Sequence, residues 1–521
     1  MAVPRRTILG IVGVLVAYLV TGLAWAISSP VGSSPDDDYH LTSIYCPPPV
    51  ETSGCRIRAG EPLAVYVPEK VAHASWQYSF QPQENGNLAA ALSEETLVPS
   101  LRVDQGGYPG GFYRVLHLLV QPDVDDTVVS IRMANVLLPL LLLGLLALVG
   151  RPEDRRSAAF VVAASSVPLG VFIWASTNPS SWAYSGMIVA WVGLLASFSA
   201  PTAPRWGISA LVTLAGAWMA ASARGDSGPY LALAAIGAVW LSWPLLARRL
   251  VRLVLPVAVL GLGLWTFFTA AQTDSLTKPE EAPEGWEAMT FTNMLELPRL
   301  PLGIYGLDPQ LGLGWTDTPM PALVYVGAIA AGVVFWSQGL RSMGWRKGLG
   351  LTAITIAFLG LPAYMLIKDM VPIGSNVQSR YFLPLAVLVV GTAVLGRLPG
   401  QVVRLSLGQR VFVVGALGVA HAVALLTNIS RYVTGLNGLW IFDETNVDRW
   451  WWAPPVPGPI VVWVVGSVAF AVAVALSLVG RDRDEGPVPA GAVSAPARAR
   501  RADVAARRAA SPRTPHSRPG G

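Results

Sequence analysis

Thr127-Val-Val-Ser-Ile-Arg-Met-Ala-Asn-Val-Leu-Leu-Pro-Leu-Leu-Leu-Leu-Gly-Leu-Leu-Ala-Leu-Val-Gly150 decides the fold class. A run this long and apolar, wound as a helix, covers the roughly 30 Å of a bilayer's hydrocarbon core. Similar runs fall near 7–29, 157–176, 182–200, 207–222, 229–246, 253–271, 319–337, 349–368, 381–396, 411–430 and 459–480. The 521 residues have a mean hydropathy of +0.49 and only 13% charged residues, where a soluble domain carries roughly 25%. A soluble enzyme with one anchor, a secreted domain and a disordered chain are all excluded. The expectation is an all-α polytopic membrane protein with about 12 transmembrane helices. Its first run follows Arg5 and Arg6 but lacks a small-residue cleavage site, and reads as a retained helix rather than a signal peptide.

Charge sets the expected orientation. With the N-terminus inside, alternating segments place 24 of the 37 Lys+Arg inside and 26 of the 32 Asp+Glu outside, a net +18 against −13. Cytoplasmic loops carry the basic excess, so both termini are expected in the cytoplasm of a multi-pass plasma-membrane protein. The overall +5 and pI near 9.2 do not mark a nucleic-acid binder, because no such module is present.

The division is then a membrane domain, 1–480, and a basic tail, 481–521. Outer loops are expected at 30–126, 272–318 and 431–458, the first large enough for a small folded unit with short interfacial helices. The tail is rich in Ala, Pro and Arg with almost no large apolar residue, so it cannot offset ordering entropy and is expected to be disordered. Cys46 and Cys55, the only thiols, share the first outer loop. An oxidising compartment and no further ligands nearby favour a structural disulfide.

Chemistry is sought on the outer face. Ser33-Ser34-Pro35-Asp36-Asp37-Asp38-Tyr39-His40 packs three carboxylates beside an imidazole. Mutual repulsion calls for a raised pKa or a cationic partner. The cluster suits a base that deprotonates an acceptor hydroxyl; it also suits a solvated acidic turn capping a short helix. Arg114, His117 and Gln121 share one face of a helix, either lying in the headgroup plane near a lipid phosphate or packed over the bundle.

Gly374-Ser-Asn-Val-Gln378-Ser-Arg380-Tyr381-Phe-Leu-Pro384 puts an Arg at a helix N-terminus, a phosphate site in charge and dipole. Its plainer reading is a snorkelling Arg beside an interfacial Tyr. Lys368 brackets the same loop. Further outer features are Thr177-Asn178-Pro179-Ser180, Arg224-Gly-Asp226, whose spacing permits a local ion pair, and Gly314-Trp315-Thr316-Asp317. No Walker loop, dinucleotide fingerprint, HExxH or CxxC is present.

Pro35-Asp36-Asp37-Asp38-Tyr39-His40 resembles the Pro-Asp-Glu-x-x-His element of a bacterial family of multipass membrane proteins of unknown function, grouped with the C-type (GT-C) glycosyltransferases. The family's Arg-x-x-Asn, Asn-Pro, Gly-Trp-x-Asp and Gln-x-Arg-Tyr-Phe-Leu-Pro elements correspond to Arg132–Asn135, Asn178-Pro179, Gly314–Asp317 and Gln378–Pro384. The likeness spans most of residues 1–396 and is of an actinobacterial type, in keeping with the Arg-, Ala-, Gly- and Pro-rich composition. Asp37 stands where the family has Glu. A second alignment sets Asp37-Asp38-Tyr39-His40 on the Asp-Glu-x-His of protein O-mannosyltransferases, so the choice among Asp36, Asp37 and Asp38 stays open.

The resemblance implies a GT-C-like membrane glycosyltransferase. It would move a sugar from a polyprenyl-phosphate donor to a cell-envelope glycan or protein acceptor, among membrane lipids. Asp36 or Asp37 would be the base, with His40 orienting it or contacting the phosphate. Arg380, with Lys368 or Arg114, would hold the donor phosphate. Asp36 and Asp37 are expected to face Arg380 across a cavity open to the outer leaflet. Asp38, His117, Asn178, Arg224, Trp315, Asp317, Gln378 and Tyr381 are further outer-face candidates, and a divalent metal is an optional cofactor. The alternatives are a transporter or flippase for a lipid-linked or polar solute, and a non-catalytic envelope-assembly protein. A transporter calls for repeat-related halves and ionisable residues at midplane; the spans are nearly free of such residues, His421 being an exception, and no repeat stands out.

Overall fold

The structure is a computed structural model that describes residues 4–60, 63–271, 284–308, 312–375, 377–396, 401–436 and 450–478. The tail 481–521, whose disorder is expected from composition, lies outside the described residues, as does Asn376.

Ten described helices are long and apolar enough to cross a membrane: Arg5–Ile27, Val124–Val149, Ser180–Ser199, Ala203–Ala223, Ser227–Leu246, Leu250–Thr269, Ala322–Arg341, Trp345–Asp369, Leu407–Val433 and Pro459–Leu478. Each matches one apolar run of the sequence. The other two runs are helical but do not form simple spans. The run 157–176 splits into Pro152–Ser165 and Pro168–Trp174, bent by 101°. Pro168 is the cause: its ring forces the residue before it out of the helical region, and Val167 is extended at ψ 157°. The run 381–396 is a short apolar helix, Ser379–Ala393, that opens on a 3₁₀ turn, Ser379–Phe382. The twelve-span expectation therefore reduces to ten spans, or eleven with the bent pair counted as one.

Ser180–Ser199 is the central helix, buried on nearly every face. It pairs closely with Ala203–Ala223 because small residues let the backbones approach. A Cβ at Gly186 would lie 2.6 Å from the Gly216 carbonyl, and one at Gly216 would lie 2.6 Å from Val189. Arg5–Ile27 packs on Val124–Val149 and on Pro459–Leu478. His421 accepts a hydrogen bond from Trp25 Nε1 at 3.2 Å and stacks on Phe470 at 3.8 Å. The one imidazole deep in a span thus ties three helices together.

Successive helices put their ends alternately at two ends of the bundle. One end carries Arg151, Arg155, Arg205, Arg248 and Arg346; the other carries Asp36, Arg224 and Arg380. Within 30–126 the chain folds into short helices and a feature absent from the all-α expectation, a three-stranded antiparallel sheet. Ala64–Pro68 lies between Ile57–Arg58 and Leu97–Ser100. Cys46 and Cys55 are disulfide-bonded. The helix Gly111–His117 buries Phe112, Tyr113 and Leu116, and a Cβ at Gly111 would touch Ser222. Of its two readings, packing over the bundle is the one observed.

Candidate active site

The site begins at a turn under restraint. Arg132, buried in Val124–Val149, donates to the carbonyls of Ala26, Ser29 and Pro30 at 2.7–2.9 Å and to Ser33 Oγ at 3.0 Å. Its guanidinium thereby moulds the exit of the first helix. Trp315 Nε1 donates to the Gly32 carbonyl at 2.8 Å. Gly32 itself is obligatory: its φ is +86°, and a Cβ there would meet Ser75 N at 2.6 Å. From the other side, Asn178 Nδ2 donates to the Pro35 carbonyl at 2.8 Å. The bend at Pro168 delivers that loop, because Pro168–Trp174 runs straight into Thr177 and Asn178.

Held between these grips, Asp36 adopts a left-handed conformation (φ 55°, ψ 32°) at the N-cap position of the helix Asp37–Tyr45, and its side chain makes no capping hydrogen bond. A non-glycine residue there is uncommon, and such strain persists only where surroundings impose it.

The three aspartates take three environments. Asp36, its side chain 40% exposed, accepts from Arg380 Nη2 at 2.7 Å and lies 3.8 Å from Arg102. Asp38 is nearly buried and takes the fork of Arg102, with Nε at 2.9 Å and Nη2 at 3.2 Å. Asp37 is fully buried and accepts from Thr177 Oγ1 and from Ser34 N. Burial pushes Asp37 up to about 6, against the opposing pull of Arg132, Thr177 and Ser34. The repulsion among adjacent acids is thus relieved by two ion pairs and one raised pKa.

Arg380 sits on the 3₁₀ turn that opens the short helix Leu383–Ala393, at the positive end of its dipole. Only 6% of its side chain is exposed. Two guanidiniums lie near the Tyr381 ring, Arg224 at 4.3 Å and Arg380 at 5.1 Å from its centre. Arg224 is itself forked onto Asp226 at 2.7–3.2 Å, the ion pair expected from their spacing. A cleft beside Arg380 is lined by Pro35, Phe172, Ile173, Thr316 and Gln378. Arg380 Nε and Gln378 Oε1 are buried here with no protein partner. Buried polar atoms are nearly always bonded, yet these two are unsatisfied groups at a cleft of about 10 Å³, the room of about one water.

His40 hydrogen-bonds the Tyr113 hydroxyl at 2.8 Å and is walled by the rings of Tyr39 and Tyr108. Burial, then the charges of Arg380, Arg224 and Arg102, hold its pKa well below the usual histidine value. The neutral ring packs the floor of the site; none of its hydrogen bonds reaches an aspartate.

Several candidates lie elsewhere. Lys368 neighbours Asp369 at 4.0 Å, and Arg114 donates to the Pro48 carbonyl and lines a separate pocket with Glu51 and Tyr108. Neither lines the cleft beside Arg380. His117 bonds the Ile44 carbonyl. Asp317 is bound by Arg431 Nη2 and Phe80 N, both at 3.1 Å. Arg102 and Arg431 escaped the sequence reading because no motif surrounds them. For a metal, the described residues bring ligand atoms together only at Glu94, Asp123 and Asp125. There Lys70 already lies 2.6 Å from both Glu94 and Asp125.

The model of a family described as predicted membrane protein (DUF2142) matches residues 19–389. The chain belongs to this family. The matched region runs from the first helix to the short helix after Arg380, so it holds both Asp36 and Arg380, while Arg431 lies beyond it. No curated protein and no solved structure matches the chain.

Proposed function

We propose that the protein is a membrane glycosyltransferase that moves a sugar from a polyprenyl-phosphate donor to an acceptor on the extracytoplasmic side. One observation carries the reading: an accessible carboxylate, Asp36, is paired with a buried, phosphate-competent guanidinium, Arg380, at 2.7 Å. In the resting protein they bond each other. A donor phosphodiester takes Arg380 through the fork geometry that suits Arg to phosphate, and Asp36 is released to accept a proton. The acceptor oxygen then bonds the anomeric carbon as its proton passes to Asp36. The bond from that carbon to the phosphate oxygen breaks, and polyprenyl phosphate leaves, its new charge stabilised by Arg380. The carboxyl of Asp37, buried behind the turn, positions Asp36 rather than meeting substrate. The resemblance of the short motifs to GT-C glycosyltransferases and the +18 against −13 charge split support an outward-facing site in the plasma membrane.

The test is discharge of a labelled sugar from a panel of polyprenyl-phospho-sugars by the purified full chain. Release of polyprenyl phosphate from one donor supports the reading. No discharge from any donor, with lipid flipping in reconstituted vesicles, replaces it with the flippase reading.

A further inference from the structure

At the end of the bundle opposite Asp36, a cavity of about 290 Å³ opens among four helices. Val161, Val192, Leu195 and Leu241 make an apolar wall. Facing it is the first turn of Trp345–Asp369, whose N-cap Gly344 supplies no side chain to the free N–H groups. Arg346 and Lys347 lie in that turn and also line the cavity. Lys347 Nζ is spent on the carbonyls of Gly339, Ala393 and Leu395 and on Ser342 Oγ, at 2.6–2.9 Å. No carboxylate is among these partners, so its charge is left uncompensated. Arg346 stacks on Trp345 and Trp240, at 4.7 and 5.4 Å, and donates to the Trp240 carbonyl.

One acid lines the cavity, Asp154, but its carboxylate is engaged by Arg151 N and Nε and by Ser199 Oγ. An independent mark is Ser157. It is 7% exposed, it lines the cavity, and its Oγ has no protein partner. At the rim Trp345 is 64% exposed, the placement of an aromatic at a membrane interface.

We propose that this cavity binds one anionic phospholipid. Its phosphate lies against Arg346, the open Trp345–Lys347 turn and Ser157, and the first methylenes of a chain lie along Val161, Val192, Leu195 and Leu241. The apolar wall beside the cationic turn selects a lipid over a free anion, and the uncompensated charge selects an anionic lipid over a zwitterionic one. The site stands apart from the Asp36–Arg380 pair and owes nothing to the transfer reaction.

The experiment is native mass spectrometry on the delipidated full chain, titrated with phosphatidylglycerol, phosphatidylcholine, or phosphatidylglycerol with excess inorganic phosphate. One phosphatidylglycerol per chain is expected, with phosphatidylcholine bound about tenfold more weakly. Excess phosphate is expected to leave the lipid in place. Arg346→Ala, and Ser157→Leu, which fills the cavity, each lower occupancy about tenfold, the worth of one charged hydrogen bond. The exposed Arg248→Ala leaves it unchanged. Equal binding of the two lipids overturns the proposal, as does displacement by inorganic phosphate. So does an Arg248→Ala loss as large as that of Arg346→Ala. Should Ser157→Leu fail to elute as a folded species, Arg346→Ala alone decides, and unchanged occupancy in it overturns the site.

Discussion

Asp36 Oδ2 accepts a hydrogen bond from Arg380 Nη2 at 2.7 Å, although 344 positions separate them in the chain. The exposed partner is the carboxylate and the buried one is the guanidinium, 40% and 6% exposed, so this is not a pair of solvated surface charges. On the proposed reading, this buried guanidinium exchanges its partly exposed counter-charge, held in a strained turn, for the donor's phosphate.

Replacing Arg380 tests that exchange. Arg380→Ala is expected to raise the donor KM by about tenfold or more, the worth of a charged hydrogen bond to phosphate. Arg380→Lys should recover little of it, because an ammonium lacks the planar fork. Steady-state kinetics with donor and acceptor varied separately check this; a raised acceptor KM with an unchanged donor KM would move Arg380 off the phosphate.

Asp37 gives a pH signature. Its folded pKa of about 6 lies above the ordinary carboxyl value of 3.8. The folded chain therefore binds the proton more tightly than the unfolded one. The stability this group contributes is full below about pH 3.8 and is lost as pH rises through about 6. Measured as the Tm difference between wild type and Asp37→Asn, wild type should gain on the variant as pH falls from 7 to 4. A flat difference would place Asp37 in a solvated setting.

The Asp317–Arg431 pair, both side chains at most 4% exposed, is expected to be structural. Arg431→Ala strands a buried carboxylate and should cost about 3–5 kcal/mol, read as a lowered Tm. The double variant Asp317→Asn/Arg431→Met should recover much of that loss. A folded Arg431→Ala protein with wild-type Tm and no discharge would instead give Arg431 a role in the chemistry.

Cys46 and Cys55 should show no free thiol when labelled under denaturing, non-reducing conditions. Closing so short a loop stabilises by about 2–3 kcal/mol in the chain-entropy model, so the Cys46→Ser/Cys55→Ser double variant should melt lower. Unchanged melting would mean that the unfolded loop is already restrained.

Much of this was legible in the residues. Twelve apolar runs located each of the ten long described helices, because a bilayer demands about twenty apolar residues whatever the tertiary fold. Hydropathy does not register bending, so the Pro168 break that delivers Thr177 and Asn178 to the site passed as one span. The Asp36 turn and Arg380 stood out through local clustering of charge and turn residues. Their shared outer side led to the expectation that they face each other across a cavity; the direct ion pair was not legible, since sequence carries no distance between positions so far apart. Arg102 was invisible for a related reason: it sits in an irregular stretch after Leu97–Ser100, and only the fold brings it to Asp38. Lys368 and Arg114 were favoured by charge and expected side of the membrane. Side is a weak constraint, and packing spent Arg114 on a carbonyl near the disulfide loop.

The central claim is that Asp36, and not its buried neighbour, is the acid that meets substrate. It is tested most directly by sugar discharge from a polyprenyl-phospho-sugar by purified wild type, Asp36→Asn and Asp37→Asn. All three are to be compared at pH 7.5 after each is shown to elute and melt as a folded protein. Loss of a positioned base should slow Asp36→Asn by about 10²–10⁴-fold, while Asp37→Asn retains the larger share of turnover. Wild-type discharge by Asp36→Asn would contradict the account.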